Sequence, residues 1–261
     1  MPSALRRYRA LEARQAFGWA PLAGLLVGLL LIGLCSLLLP RLPASAIALM
    51  ERMMLIRGMG AVVLVNDYLA IYFVAFFVGA AGLMRALVEP REERSLEVLL
   101  SKPLSRRVFL SARVGPVLLA AAAVGLGMTL ATGLAAVPYA AEEGVSVLGA
   151  LGAGVVLSAL VVLLLALLVL PLLLVRDTFQ GFLAAFGFWM GPMVPLVTLI
   201  YRPDVFGGHE WLRVLLAMPA NLIWFDAAMP VTALVLLAVA LGTSWLALGL
   251  GARLFERIEL R

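Results

Sequence analysis

The densest run of charge in the chain is Glu89-Pro90-Arg91-Glu92-Glu93-Arg94-Ser95-Leu96-Glu97-Val98-Leu99-Leu100-Ser101-Lys102-Pro103-Leu104-Ser105-Arg106-Arg107. Its residue types suit recognition rather than bond-making. Pro90 can open a helix and Pro103 must close it, because proline lacks a backbone N–H. Between them Leu96, Leu99 and Leu100 share one face at i, i+3, i+4, while Arg94, Glu97 and Ser101 take the opposite side. Ser105 is placed to cap the helix that follows. The spacing predicts a short amphipathic helix. It either lies on a membrane surface, anchored by its arginines, or puts its apolar face into a groove on a partner.

Bond-making chemistry lacks its groups. There is no His-Glu-x-x-His and no Gly-x-Ser-x-Gly, and carboxylates do not cluster inside apolar runs. The single histidine, His209, precludes a multi-histidine metal site within one chain, and the single cysteine, Cys35, precludes an intrachain disulfide. The only lysine, Lys102, follows Ser101, so the chain has no phosphate-binding Gly-x-x-x-x-Gly-Lys-Ser/Thr loop. No catalytic, cofactor or metal residue is expected. Asn66, Asp67 and Asp226 are expected near membrane interfaces, where charge costs little. Asp177 beside Arg176 reads as an ion pair at a hairpin tip, and Glu142-Glu143 as a solvated outer turn. Thr129 and Thr132 are expected to bond their own helix backbone.

The elements that position these residues follow from composition. Hydrophobic residues make up 64% of the 261 and charged residues 13%, with a mean hydropathy of +1.09. A soluble domain carries about 25% charged residues to face water, so most of this exterior faces lipid. Lipid cannot satisfy backbone N–H and C=O groups, which leaves helices or closed barrels. The long unbroken apolar runs exclude the alternation of barrel strands. The expectation is an all-α integral membrane protein with six spans, each of about 20 residues, near 19–39, 63–88, 108–137, 147–175, 178–201 and 230–251. The first run is too long for a signal core, and Leu34 stands before Cys35 where a lipoprotein signal wants a small residue. It is read as an uncleaved span.

With the N-terminus inside, fifteen of the twenty basic residues fall on the inner side and Arg41, Arg52, Arg57, Arg202 and Arg213 on the outer. That asymmetry predicts both termini cytoplasmic. It also accounts for the net charge of +5 without nucleic acid as a partner. In the outer segment 202–229, apolar pieces at 211–218 and 221–228 flank Pro219 and are too short to cross. They read either as re-entrant helices or as two interfacial helices lying on the outer leaflet. The spacings Gly24/Gly28 and Gly187/Gly191 suggest faces for close helix packing.

The run Glu-Glu-Arg-Ser-Leu-Glu-Val-Leu-Leu-Ser-Lys-Pro-Leu-Ser-Arg at 92–106 resembles the cytoplasmic loop of type-2 ABC exporter permeases. In that family an acidic-basic stretch leads into a Leu-rich helix and a Pro-(Leu/Val)-Ser-Arg corner. The six-span layout is similar as well. So are an amphipathic N-terminal helix, with Leu5, Tyr8 and Leu11 opposite Arg6, Arg7 and Arg9, and the tail Leu254-Phe255-Glu256-Arg257.

The resemblance implies an N-terminal cytoplasmic helix at 1–18, one six-helix transmembrane domain at 19–251 and a cytoplasmic tail at 252–261. The domain would carry a coupling loop at 89–107 and a re-entrant segment at 202–229. It implies a multi-pass permease of the inner cell membrane, surrounded by lipid, paired with a second copy of itself. Two cytoplasmic ATPase subunits would bind the ATP and Mg and dock on a coupling helix through Glu93, Arg94, Leu96, Glu97, Leu99, Leu100 and Lys102. Cargo stays open among glycolipid, drug, sodium and copper-related roles. A permease dedicated to copper-enzyme maturation would draw on His209, Met218 and Met229. A non-catalytic membrane scaffold is the alternative from a different class.

Overall fold

The computed structural model describes residues 2–54, 56–93, 106–194, 198, 202–208 and 229–258. Among them the chain is helical throughout, with no strand. Helix α1 (Pro2–Ala16) turns at Gly18 into α2 (Trp19–Leu38), and a 3-10 turn carries the chain through Pro40 to a short α3 (Ala44–Met54). Next come α4 (Met59–Leu87), the single-turn α5 (Glu89–Glu92), α6 (Arg106–Glu142), α7 (Val147–Leu172), α8 (Thr178–Met190) and α9 (Met229–Ile258). Among the described residues five segments are long and apolar enough to cross a membrane: Ala10–Arg41, Met59–Glu92, Val108–Glu142, Val147–Leu172 and Leu237–Phe255. The chain is an all-helical, multi-pass membrane protein.

The segment expected as a fifth span at 178–201 is helical over Thr178–Met190, 13 residues. That length covers about 20 Å, short of a hydrocarbon core of about 30 Å. Gly191-Pro192 then makes a turn before helix resumes at Met193-Val194. Helix α3 falls between the expected first and second spans, where the sequence analysis assigned no element. Its 11 residues are too few to cross and too polar to register as a span.

Helix α4 is the axis of the bundle. Of its most apolar window 67% is buried, against 11% for the first span, which lies at the periphery. Phe76, Ile71, Leu64 and Leu83 of α4 pack with Met128 of α6 and with Leu165, Leu168 and Leu172 of α7 in one continuous core. The outer faces of α2 and α9 carry exposed Leu22, Leu26, Leu30, Leu234, Leu241 and Trp245, as a lipid-facing surface should.

Helices α6 and α7 meet through a reciprocal pair of small residues. A Cβ on Gly125 would come within 2.6 Å of Ser158 Oγ, and one on Gly154 within 2.5 Å of Thr129. Each hydroxyl donates to the carbonyl of the glycine four residues before it, Thr129 to Gly125 and Ser158 to Gly154, both at 2.8 Å. The contact therefore leaves no hydroxyl unpaired in the apolar core. Thr132 likewise donates to Met128 O, as expected. Gly24 and Gly28 do form a packing face, against Val78 and Met128. Gly187 meets nothing, and Gly191 only its own backbone, among the described residues. That second spacing is not a packing face there.

Candidate docking site at the loop end of the bundle

Arg94, Leu96, Glu97, Leu99, Leu100 and Lys102 lie outside the described residues, as do the expected amphipathic helix and its docking face. Glu93 is described, exposed and in a turn. The structure gives the two footings from which this loop springs.

At the first footing the chain leaves α4 and turns once through α5, where Pro90 takes an early position that needs no N–H. Arg91 then reaches the C-terminal end of α7, its Nη1 donating to Leu172 O at 3.2 Å and Leu173 O at 2.7 Å. The last carbonyls of a helix have no partner of their own and carry partial negative charge, which suits a guanidinium. Glu92 takes the opposite role at the start of α8. Its Oε2 accepts from the Thr178 backbone N–H at 3.2 Å and from Thr178 Oγ1 at 2.5 Å. Adjacent residues of opposite sign thus hold the negative end of one helix and the positive end of the next.

The hairpin tip between those helices is organised by capping. Asp177 Oδ1 accepts from Gln180 N at 2.8 Å, and Gln180 Oε1 accepts from Arg176 N at 3.1 Å. The expected Arg176–Asp177 ion pair is absent among the described contacts, because capping an exposed helix start uses the carboxylate better than a solvated pair does.

The second footing is Arg113, two turns into α6. Its Nε donates to Glu12 of α1 at 3.2 Å and its Nη1 to Ala86 O near the end of α4 at 2.8 Å. The guanidinium sits 5.2 Å from the centre of the Phe109 ring. Tyr8 of α1 stacks on Phe109 at 6.4 Å between centroids, and Phe109 stacks on Phe255 of α9 at 6.0 Å. The tail residue Phe255 is thereby buried. Burial first, then the neighbouring Glu12 carboxylate, pushes the Tyr8 hydroxyl up to about 12. Of the expected N-terminal stripe, Tyr8 packs inward while Leu11 is exposed.

Two carboxylates act at the opposite end. Glu143 accepts from Met59 N at 3.1 Å and Gly60 N at 2.9 Å, and Glu51 of α3 accepts from Gly58 N at 2.7 Å. Together they satisfy the orphan donors at the start of α4. Glu143 is thus a structural cap and not the solvated residue the sequence suggested. Gly58 has φ +90°, a left-handed conformation that glycine adopts without strain.

Asp67 also departs from expectation. Helix α4 begins at Met59, so Asp67 stands eight residues inside it, about 12 Å from the start. It is 0% exposed, and neither carboxyl oxygen has a partner among the described residues. Its neighbours Asn66, Tyr68 and Tyr72 do find acceptors, in Val62 O at 2.8 Å, Ala150 O at 3.1 Å and Trp189 O at 2.6 Å. Asp226, His209 and Met218 lie outside the described residues, and Met229 opens α9.

The tying roles of Arg91, Glu92, Arg113 and Glu12 were not legible in the sequence, because Arg91, Glu92 and the Arg113–Glu12 pair reach partners 81 to 101 positions away. Against protein-family models, curated proteins and solved structures alike, the chain finds no match.

Proposed function

We propose that this chain is the transmembrane subunit of an ATP-driven exporter of the type-2 ABC layout, coupling hydrolysis by separate ATPase subunits to movement of its helices. In this reading the chain crosses the inner cell membrane six times with both ends cytoplasmic, the segment 202–229 is re-entrant, and two copies enclose the pathway. The ATPases dock on 91–102 through Glu93, Arg94, Leu96, Glu97, Leu99, Leu100 and Lys102. What supports it most is the anchoring of the loop. Arg91 and Glu92 hold the α7–α8 hairpin, and Arg113 holds α1 and the end of α4. These charge-assisted ties fix both ends of the loop to several helix ends, as a loop that transmits force requires.

The test is co-purification of the tagged chain from its native membranes in mild detergent, with mass spectrometry of its partners. A stoichiometric subunit carrying a phosphate-binding loop is the expected result, together with its loss when Leu96 and Leu99 are both replaced by Asp. A complex that contains no such subunit and hydrolyses no ATP would overturn the exporter reading.

A further inference from the structure

A cavity of about 680 Å³ opens between the α1–α2 corner and the faces of α4 and α6, at the loop end of the bundle. Its volume is in the range of small-molecule and lipid sites. Its walls are graded along α4. Phe73, Phe77 and Val78 line the deeper part, and Phe73 and Val27 are about half exposed there, so the cavity is open sideways to the bilayer. Arg85 and Glu89 line the end nearest the loop, about 12 Å beyond the aromatic pair. The site is apolar where acyl chains lie and charged where headgroups lie.

The charges on its rim select the headgroup. Glu12 and Arg113 also reach the rim, but they satisfy each other at 3.2 Å. Arg85 and Glu89 are left, with no ion pair or side-chain hydrogen bond among the described residues. They stand four positions apart with the cation first, the poorer order for pairing along a helix. A headgroup that is only anionic would face Glu89 as well as Arg85, and a cationic one would face Arg85. A headgroup with phosphate and ammonium a few ångströms apart satisfies both. We propose that this cavity is a site for one zwitterionic phospholipid carrying a primary ammonium, its phosphate on Arg85, its ammonium on Glu89 and an acyl chain along Phe73 and Phe77. The inference rests on the chain being embedded in a bilayer and is independent of the exporter reading.

The experiment is native mass spectrometry of the delipidated full chain, titrated with phosphatidylethanolamine, phosphatidylglycerol and phosphatidylcholine of matched chains. One phosphatidylethanolamine per chain is expected to survive activation at which the other two are lost, with at least tenfold preference over phosphatidylglycerol. Choline lacks N–H donors for Glu89 and should be retained less. Arg85→Gln and Glu89→Gln should each erase the preference, with circular dichroism and gel-filtration profiles matching the parent. Equal retention of all three lipids by the unmodified chain would show annular binding only and overturn the proposal. So would a preference unchanged in both variants.

Discussion

The guanidinium of Arg91 lies 2.7 Å from the carbonyl oxygen of Leu173, closing the C-terminal end of a membrane-crossing helix from 82 residues upstream. One side chain thus performs two tasks: it satisfies carbonyls that α7 cannot satisfy itself, and it fixes the start of the 94–105 loop relative to that helix. Helix ends without such partners are costly when buried.

Arg91→Gln should therefore lower stability by about 1.5–3 kcal/mol, the usual worth of hydrogen bonds to a charged group. Arg91→Lys should restore only part of this, because a point ammonium cannot fork between two carbonyls. Arg176→Gln, at an exposed arginine of the same hairpin, should change stability by less than about 0.5 kcal/mol. Thermal denaturation of the three variants in one detergent checks the ranking.

Glu143→Ala should cost about 1–2 kcal/mol, the scale of a lost helix cap, while Glu142→Ala at the exposed neighbouring acid should cost almost nothing. Gly58→Ala should also destabilise. It would strain a backbone at φ +90° and place a Cβ 2.5 Å from a Glu143 carboxyl oxygen. Equal melting temperatures for the two glutamate variants would contradict the capping role.

A carboxyl group with no partner, buried between helices, is a structural cost unless function requires it. Asp67→Asn keeps the shape and removes the ionisable group, so it should leave folded yield and melting temperature equal to the parent or higher. Asp67→Lys should abolish folded protein, because a longer cation has neither room nor counter-charge there. In the exporter reading proposed above, loss of ATP-dependent transport in a well-folded Asp67→Asn variant would mark this carboxyl as part of the pathway.

Tyr8 supplies a test in pH. Its hydroxyl is pushed up to about 12 in the fold, from an ordinary value near 10, chiefly by burial. The folded state therefore holds the proton more tightly than the unfolded state does. The stabilisation is complete below about pH 10 and is lost as pH rises toward about 12. Tyr8→Phe keeps the stacking on Phe109 and should remove that part of the alkaline loss. Melting curves at pH 9 and pH 11.5 for both proteins measure the difference.

Hydropathy located the membrane helices well because apolar length is a property of the chain alone. The expected 19–39 and 147–175 are Trp19–Leu38 and Val147–Leu172. Ends were harder. Helix α9 runs on to Ile258 through Arg253, Glu256 and Arg257, which are good helix formers whether or not lipid surrounds them. Helix α6 continues past Pro138 to Glu142, since an exposed proline near a helix end forfeits one bond that water replaces. The amphipathic α3 was missed because the criterion was crossing length.

The loop was conspicuous in the sequence by its charge and its bounding prolines. What holds it was not. The partners of Arg91 and Glu92 are helix ends, and a backbone carbonyl or amide leaves no mark in a sequence. Asp67 stands deeper in its helix than the sequence suggested, because α4 starts four residues earlier than the expected span, at Met59.

The two footings of the loop stand on different parts of the bundle. Arg91 and Glu92 bear on the α7–α8 hairpin, while Arg113 and the Tyr8–Phe109–Phe255 stack bear on α1, α4, α6 and α9. In the exporter reading proposed above, a force applied along the loop would be divided between these two abutments, which meet only at the end of α4. The glycine-lined contact of Gly125 and Gly154 lies between α6, which carries the second footing, and α7, which Arg91 of the first footing closes. Both hydroxyls there are turned back on their own helices, so neither ties one side of that contact to the other.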